Sequence, residues 1–159
     1  MAIALFLLVI IADQITKYII ATNETSINLI KNLLSFIFTK NSGAAFSFLD
    51  NKDWAQTFFI IITFLALIAF GYMYYKVNKK DKLLKLALIL IMSGAIGNLI
   101  DRIRFGYVVD FISIHFFPAI FNVADMALTI GACLFVLHYL FYDKDAIFKK
   151  KLKKENENE

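Results

Sequence analysis

The sequence predicts an α-helical integral membrane protein with four transmembrane helices. Composition is the first indication: 60% of the 159 residues are hydrophobic and 19% are charged, whereas soluble domains have about 45–50% apolar and about 25% charged residues. The second is that four apolar segments each approach the roughly 20 residues that a helix needs to cross a bilayer core. The length fits one domain, and a single cysteine, Cys133, excludes a disulfide scaffold.

The four predicted spans differ in the polar residues they carry. A backbone in lipid has to satisfy its own hydrogen bonds, so segments of this length are expected to be helices. The first carries Asp13 and Lys17 and lacks the basic start and small-residue cleavage site of a secretory signal, which predicts a retained helix. The spans are predicted at about residues 1–21, 57–75, 83–100 and 122–142, the four-helix domain occupies residues 1–142, and residues 143–159 form a polar tail.

The distribution of lysine and arginine predicts the topology. Residues 76–85 carry five lysines and the tail after Tyr142 carries six, whereas the loops over 22–56 and 101–118 carry three and two basic residues. Basic loops remain in the cytoplasm, so both termini are expected there and the two other loops outside. Within the outer loops, Leu33 to Leu49 and Tyr107 to Phe116 are rich in aromatic and β-branched residues, which favours short strands.

Polar side chains gather near the outward ends of the predicted spans. Ionisable groups in a membrane are costly and are therefore candidates for function. The convergence on one side of the membrane is the strongest indication of a site that the residues themselves give. The side chains concerned are Asp13, Lys17, Asn98, Asp101, Arg102, Asp110, Asn122 and Asp125.

All of these side chains except Asp110 also have a purely structural interpretation. Asp13 and Lys17 are spaced i,i+4 and are expected to form an ion pair on one helix face. This pair either neutralises itself so that the helix end can lie among the lipid headgroups, or Lys17 extends towards the outer headgroups. A second group, Asn98, Asp101 and Arg102, is consistent with a polar knot that pairs arginine with aspartate. Gly94 and Gly97 favour close helix packing. Asn122 and Asp125 are spaced as a helix cap.

Several chemistries do not fit this sequence. Cys133 lies in an apolar segment with no histidine at an obvious spacing, and His115 and His138 are isolated and outside any zinc motif. The net charge of +4 follows from clustered lysines that topology explains better than nucleic acid does. Carboxylates remain: two that lie close together share a proton and act as acid and base, which activates water against a peptide bond.

Five ordered motifs resemble the bacterial lipoprotein signal peptidase family, also called signal peptidase II. The resemblance covers about residues 13 to 142 on all four spans. In two places this sequence has a serine, Ser42 and Ser93, where the family often has another small or polar residue. The motifs are Asp13-Gln-Ile-Thr-Lys17, Asn41-Ser-Gly-Ala-Ala-Phe46, Gly94-Ala-Ile-Gly-Asn-Leu-Ile-Asp-Arg102, Val109-Asp-Phe111 and Phe121-Asn-Val-Ala-Asp125.

The resemblance implies a fold, an activity and a set of roles. The expected fold adds a small β-structured cradle and a short helical lid on the outer side of the bundle. The expected activity is that of an aspartyl endopeptidase of the bacterial inner or plasma membrane. It cleaves prolipoproteins before a cysteine that carries diacylglycerol, with no metal or cofactor. The implied catalytic dyad is Asp110 and Asp125, the supporting residues are Asn41, Asn98, Asp101, Arg102 and Asn122, and Asp13 is structural.

The expected partners are prolipoproteins with a lipobox, membrane lipid and globomycin-type cyclic peptide inhibitors, without nucleic acid, and a monomer is expected. The main alternative from the residues is a proton- or cation-coupled transporter that uses the membrane carboxylates as a relay. A transporter requires polar residues along a path through the bilayer, and the second span has no charged residue. A further alternative is a membrane scaffold whose polar residues only hold the helices together.

Overall fold

The computed structural model describes residues 2–23, 26–43 and 54–142. In this part of the chain four helices are long and apolar enough to cross a membrane, which confirms the predicted class. The predicted tail and most of the expected lid loop between Asn41 and Trp54 lie outside the described residues. The elements are α1 (Ala2–Asn23), β1 (Ile27–Ile30), β2 (Leu34–Asn41), α2 (Ala55–Lys76), α3 (Lys82–Phe105), β3 (Val108–Ile114), β4 (Ile120–Phe121) and α4 (Val123–Leu137), which continues as a π-helical turn (His138–Tyr142).

The four strands form one antiparallel sheet in the order β1-β2-β3-β4. Its longest pairing joins β2 to β3, from Leu34 opposite Ile114 to Asn41 opposite Val108. The strands predicted in the two loops are thus confirmed for residues 34–41 and 108–114, while residues 44–49 of the first range lie outside the described residues. The predicted ranges did not include the exposed β1 or the short β4.

The third helix is the centre of the bundle because it packs closely against α4 and α1. Gly94 lies against the carbonyl oxygen of Ala124, and a Cβ on Gly97 would lie 2.7 Å from Asp13 Oδ2 and 3.0 Å from Ala124 Cβ. In α4, Gly131 approaches the carbonyl oxygen of Ala87 in the same way. All three glycines therefore act as packing residues, because any side chain would separate the helices; this role was predicted for Gly94 and Gly97.

The second helix, by contrast, lies at the periphery of the bundle. Ala55 is its one buried residue, and large apolar side chains such as Leu65 and Ile68 are exposed at 57% and 69%. A contiguous apolar surface of this kind is unstable in water and is the surface that acyl chains cover in a bilayer.

The helix ends place the polar residues at one end of the bundle. The N-cap of α3 is Asp81, whose side chain accepts a hydrogen bond from Leu84 N at 3.0 Å. The helix ends before Gly106, which adopts a left-handed backbone conformation with a φ of 74°. It continues five residues beyond the predicted position 100, so Asp101 and Arg102 lie on the helix. Because α1 and α3 end at the sheet and α2 and α4 begin there, all four helices contribute residues to the sheet end.

Candidate active site

Asp110 and Asp125 line one cavity of about 720 Å³ at the sheet end. Asp110 is carried by β3, whereas Asp125 lies in the first turn of α4. The polar part of the lining is contributed by both carboxylates together with Asn41, Asn98 and Arg102. Apolar residues from α4 and from the β3–β4 connection complete the wall, among them Phe116, Phe117, Met126 and Ile130.

Amide groups hold Asp110 by both carboxylate oxygens. Asn41 Nδ2 donates to Oδ2 at 2.8 Å, and Asn122 Nδ2 donates to Oδ1 at 2.6 Å. Burial raises the pKa of Asp110 to about 6, with a further increase from the negative charge of Asp125, while the two amide donors act in the opposite direction. Asp110 can therefore retain a proton at a pH where an ordinary aspartate has lost it.

Asp125 combines the capping and the cavity-lining roles that the sequence left as alternatives. Its Oδ2 accepts from the backbone N–H of Asn122 at 3.2 Å, and its own N–H donates to Asn122 Oδ1 at 2.9 Å, which is a reciprocal capping box. Its Oδ1 accepts from Asn98 Nδ2 at 2.8 Å. The start of α4 and the position of this carboxylate are therefore fixed by the same hydrogen bonds.

Asn122 links the two carboxylates, and its side chain is fully buried. Besides Asp110, its Nδ2 lies 3.1 Å from Asn98 Oδ1 and 3.3 Å from the carbonyl oxygen of Val109. One amide group therefore contacts β3, α3 and the carboxylate on the strand, while the same side chain caps α4. The relative positions of Asp110 and Asp125 depend on this residue.

Lys17 orients the side-chain amide of Asn98, which lines the cavity. Its Nζ donates to Asn98 Oδ1 at 2.9 Å, so the Asn98 amide nitrogen is directed towards Asp125. Nζ also lies 2.9 Å from Asp13 Oδ2 and 3.0 Å from Asp101 Oδ2. The predicted Asp13–Lys17 pair is confirmed, but the expectation that it lies among the headgroups or that Lys17 reaches outwards is wrong. The lysine is 3% exposed, because two carboxylates and an amide inside the bundle satisfy its ammonium group.

Asp13 and Asp101 connect the helices to the rest of the site. Asp13 Oδ1 accepts from the backbone N–H of Ala124 at 2.8 Å, next to the start of α4. Asp101 Oδ2 accepts from Val109 N at 3.1 Å, which fixes the strand immediately before Asp110. Gln14 adds a donor to Asp101 Oδ1 at 3.0 Å. Both aspartates thus position backbone beside the dyad rather than line the cavity.

Arg102 does not form the predicted pair with an aspartate. Within the described residues it makes no ion pair, and its guanidinium donates to Gln56 Oε1 at 2.9 Å and to the Gly43 carbonyl oxygen at 2.8 Å. It also lies over the ring of Phe59, 4.5 Å from the centroid. Neighbouring residues on a helix point about 100° apart, so Asp101 faces Lys17 inside the bundle while Arg102 reaches α2 and the segment after β2.

All eight predicted site residues belong to one hydrogen-bond network; Arg102 joins it through Gly43, whose N–H donates to Asn41 Oδ1 at 3.0 Å. The sequence analysis paired Lys17 with Asp13 but did not predict its contacts with Asn98 and Asp101. It assigned no role to Gln14 or Gln56. No sequence signal connects Gln56 with Arg102, 46 positions away.

A carboxylate pair held by amide donors in a cavity at one end of a transmembrane bundle is consistent with an aspartic-type membrane peptidase, and the family match shows that class. The family model described as signal peptidase (SPase) II matches residues 5–141. The chain belongs to the signal peptidase II family. The match includes part or all of each of the four helices and all eight predicted site residues.

Known proteins similar to this chain are bacterial. The chain is 43% identical over 150 residues to the lipoprotein signal peptidase of Caldanaerobacter subterraneus subsp. tengcongensis, which covers 92% of this chain and 99% of the relative. It is 43% identical to that of Staphylococcus aureus, over 89% of this chain and 87% of the relative. A solved structure described as a bacterial membrane enzyme has a TM-score of 0.80 at 38% identity, over 92% of this chain and 93% of that one. The fold and the family together fit a bacterial membrane.

Proposed function

We propose that this chain is the aspartyl endopeptidase that removes the signal peptide from diacylglyceryl-modified prolipoproteins, with cleavage immediately before the lipid-bearing cysteine. Family membership and relatives named lipoprotein signal peptidase support the removal of prolipoprotein signal peptides. One structural observation supports the site: Asp110 and Asp125, from a strand and a helix, line one cavity and are joined through Asn122 and Asn98.

The proposed mechanism uses one proton shared by the dyad. The ionised carboxylate takes a proton from water, whose oxygen attacks the carbonyl carbon before the lipidated cysteine. The protonated carboxyl group donates to the carbonyl oxygen as charge develops there. The C–N bond then breaks: the first carboxyl group gives the proton taken from water to the leaving amine of the lipidated cysteine, and the second takes a proton from a hydroxyl of the intermediate, so the dyad again holds one proton. A pKa near 6 for Asp110 supports a singly protonated pair, whose titration belongs to both groups together.

The remaining network residues support this reaction by position. Asn41, Asn98 and Asn122 hold the two carboxylates, and Arg102 holds the segment at Gly43 against α2. Asp13 and Asp101 keep the start of α4 and the strand β3 in register with α1 and α3. The domain assignment follows: residues 1–142 form the peptidase unit.

We place the sheet end of the bundle at the outer face of the bacterial inner or plasma membrane, with both termini in the cytoplasm. The lysine-rich connection between α2 and α3 lies at the opposite end, and basic loops remain in the cytoplasm. Membrane lipid covers the apolar helix surfaces, the enzyme acts as a monomer, and globomycin-type cyclic peptides inhibit it by occupying the dyad cavity. A transporter is not supported, because the described polar network is confined to the sheet end.

Conservative variants of the dyad test the proposal. Asp110→Asn and Asp125→Asn should each lower turnover of a diacylglyceryl-cysteine lipobox peptide in lipid by roughly a thousandfold, since the dyad then lacks an acid or a base. Asn at position 125 retains an oxygen for the capping hydrogen bond, so helix α4 should form normally. Cys133→Ser, at an exposed helix position outside the cavity, is the matched control and should retain full activity. Turnover within tenfold of the parent in either dyad variant would refute the assignment.

A further inference from the structure

Thr129 is a polar side chain in the apolar half of the cavity. It lies one turn after Asp125 on the cavity-lining face of α4, about 6 Å further along the helix axis. The other polar side chains in the described lining all have protein partners. Within the described residues the Thr129 hydroxyl forms no hydrogen bond. The partnered lining residues are Asn41, Asn98, Arg102, Asp110 and Asp125.

Three of the other helical threonines, Thr16, Thr22 and Thr63, satisfy their hydroxyl groups locally, whereas Thr57 in the first turn of α2 makes no such bond among the described residues. Thr16 donates to Ala12 O at 2.8 Å, and Thr63 in α2 donates to Phe59 O at 2.6 Å. This bond to the preceding turn is the usual solution for a hydroxyl in an apolar setting. Thr129 does not make it, so its donor is available to a group in the cavity. The Thr129 side chain is exposed rather than buried, so an acceptor can reach its hydroxyl from the open side of the cavity.

The surroundings of Thr129 indicate that a group which accepts its hydrogen bond would belong to a lipid-like molecule. Its neighbours on α4, Met126 and Ile130, are exposed at 45% and 50%, and Phe116 of the β3–β4 connection is exposed at 79%. All three line the cavity. The cavity is therefore open sideways, between the membrane helix α4 and the β3–β4 connection, towards the region that lipid occupies. Acyl chains can remain in the bilayer while the group that joins them enters the cavity.

We propose that the Thr129 hydroxyl donates a hydrogen bond to an ester carbonyl of the substrate's diacylglyceryl group and so recognises the lipid modification. The inference rests on the proposed function and specifies how that site reads its substrate. An ester carbonyl oxygen is an acceptor without a competing donor, which suits a lone hydroxyl. The esters are several bonds from the scissile peptide, on the cysteine side chain, so a contact one turn from Asp125 matches their reach.

Two substrates and matched variants test this inference. One lipobox peptide carries a diacyl (ester) thioglyceryl cysteine and the other its dialkyl (ether) analogue, which lacks both carbonyl groups. Thr129→Val should lower kcat/KM for the ester about threefold to tenfold, mainly through KM, and change the ether less than twofold. Thr129→Ser should restore ester turnover to within twofold of the parent. Thr63→Val, at a threonine already bonded within its own helix, should leave both substrates unaffected.

The parent enzyme supplies a second measurement that does not depend on how a variant folds. It should process the ester threefold to tenfold faster than the ether at limiting concentration. Equal rates for the two substrates, or an equal loss on both in Thr129→Val, would overturn the inference and assign the hydroxyl to the peptide or to no contact. Failure of the parent to cleave the ester peptide at all would instead refute the proposed function.

Discussion

The two ends of the helix bundle use buried polar groups in different ways. At the sheet end, Lys17, Asn98 and Asn122 each contact two or more partners and join four elements to a cavity. At the opposite end, His138 Nε2 lies 2.6 Å from Asp81 Oδ2, and within the described residues this pair forms no hydrogen bond to a further side chain. His138 Nδ1 is the one buried side-chain nitrogen or oxygen in the described chain without a hydrogen-bond partner.

The difference indicates which polar groups the fold depends on and which serve only a local purpose. Asp81 caps α3 and contacts one neighbour, so its loss affects one helix end. Lys17 compensates two buried carboxylates and fixes an amide that bonds a third. A substitution in the network at the sheet end should therefore change both stability and activity, because its groups share hydrogen bonds. A substitution at the other end should change only the local contact that it removes.

The largest effect is expected at Lys17. Lys17→Met leaves Asp13 and Asp101, 0% and 1% exposed, without a compensating charge, and loss of one partner from a buried pair costs about 3–5 kcal/mol. The midpoint of thermal unfolding in detergent should fall and peptidase activity should fall with it. Lys31→Met, at an exposed lysine in the turn after β1, is the control and should change neither. An unaltered midpoint for Lys17→Met would show that the network is not cooperative.

A smaller effect, on pH dependence, is expected at Asn41. Its amide favours the ionised form of Asp110, so Asn41→Ala should raise the pKa of that carboxyl group further above about 6. In the proposed mechanism the dyad holds one proton, so the alkaline limb of kcat/KM should move to higher pH by about half a unit to one unit. A shift to lower pH, or none, would contradict the proposed role of the amide. Cys133→Ser again provides the unshifted reference profile.

The smallest effect is expected at the opposite end. Asp81→Asn keeps an oxygen for Leu84 N but removes the charge beside His138. A partly exposed pair of this kind contributes about 0.2–1 kcal/mol, so the unfolding midpoint should fall slightly and turnover should not change. A loss of activity at constant stability would show that the two ends communicate, in contradiction to the comparison drawn above.

The sequence predicted much of the fold because single-residue properties decide it. Apolar runs of sufficient length can only be helices in lipid, and the glycines at 94 and 97 indicated the close contact between α3 and its neighbours. The ordered motifs predicted which polar side chains the structure joins in one network, although the catalytic roles of Asp110 and Asp125 remain a prediction. The predicted end of α3 at residue 100 was five residues too early, because Asp101 and Arg102 were interpreted as loop residues. Their partners in α1 and α2 allow both to remain helical.

Pairing between distant residues could not be predicted. Whether Lys17 points into the bundle or towards the headgroups depends on an acceptor 81 positions away, Asn98, which a local pattern cannot reveal. The partner of Arg102 likewise depends on how α2 packs beside α3. For Arg102 the error came from assigning the most common local partner, and for Lys17 from expecting the lipid headgroups around an ion pair that was itself correct. In both cases residues distant in sequence supply the contacts that the fold uses.

The sideways opening of the cavity determines how occupancy of the site has to be quantified. In the membrane placement proposed above, a molecule that passes Met126 and Ile130 to reach the two carboxylates comes from the hydrocarbon phase, so its effective concentration is its mole fraction in the bilayer. Added vesicles that contain no enzyme would dilute substrate and competitor alike, at constant total amounts in the tube. Turnover would then follow two-dimensional surface dilution, and potencies expressed per litre of buffer would not be comparable between preparations with different lipid content.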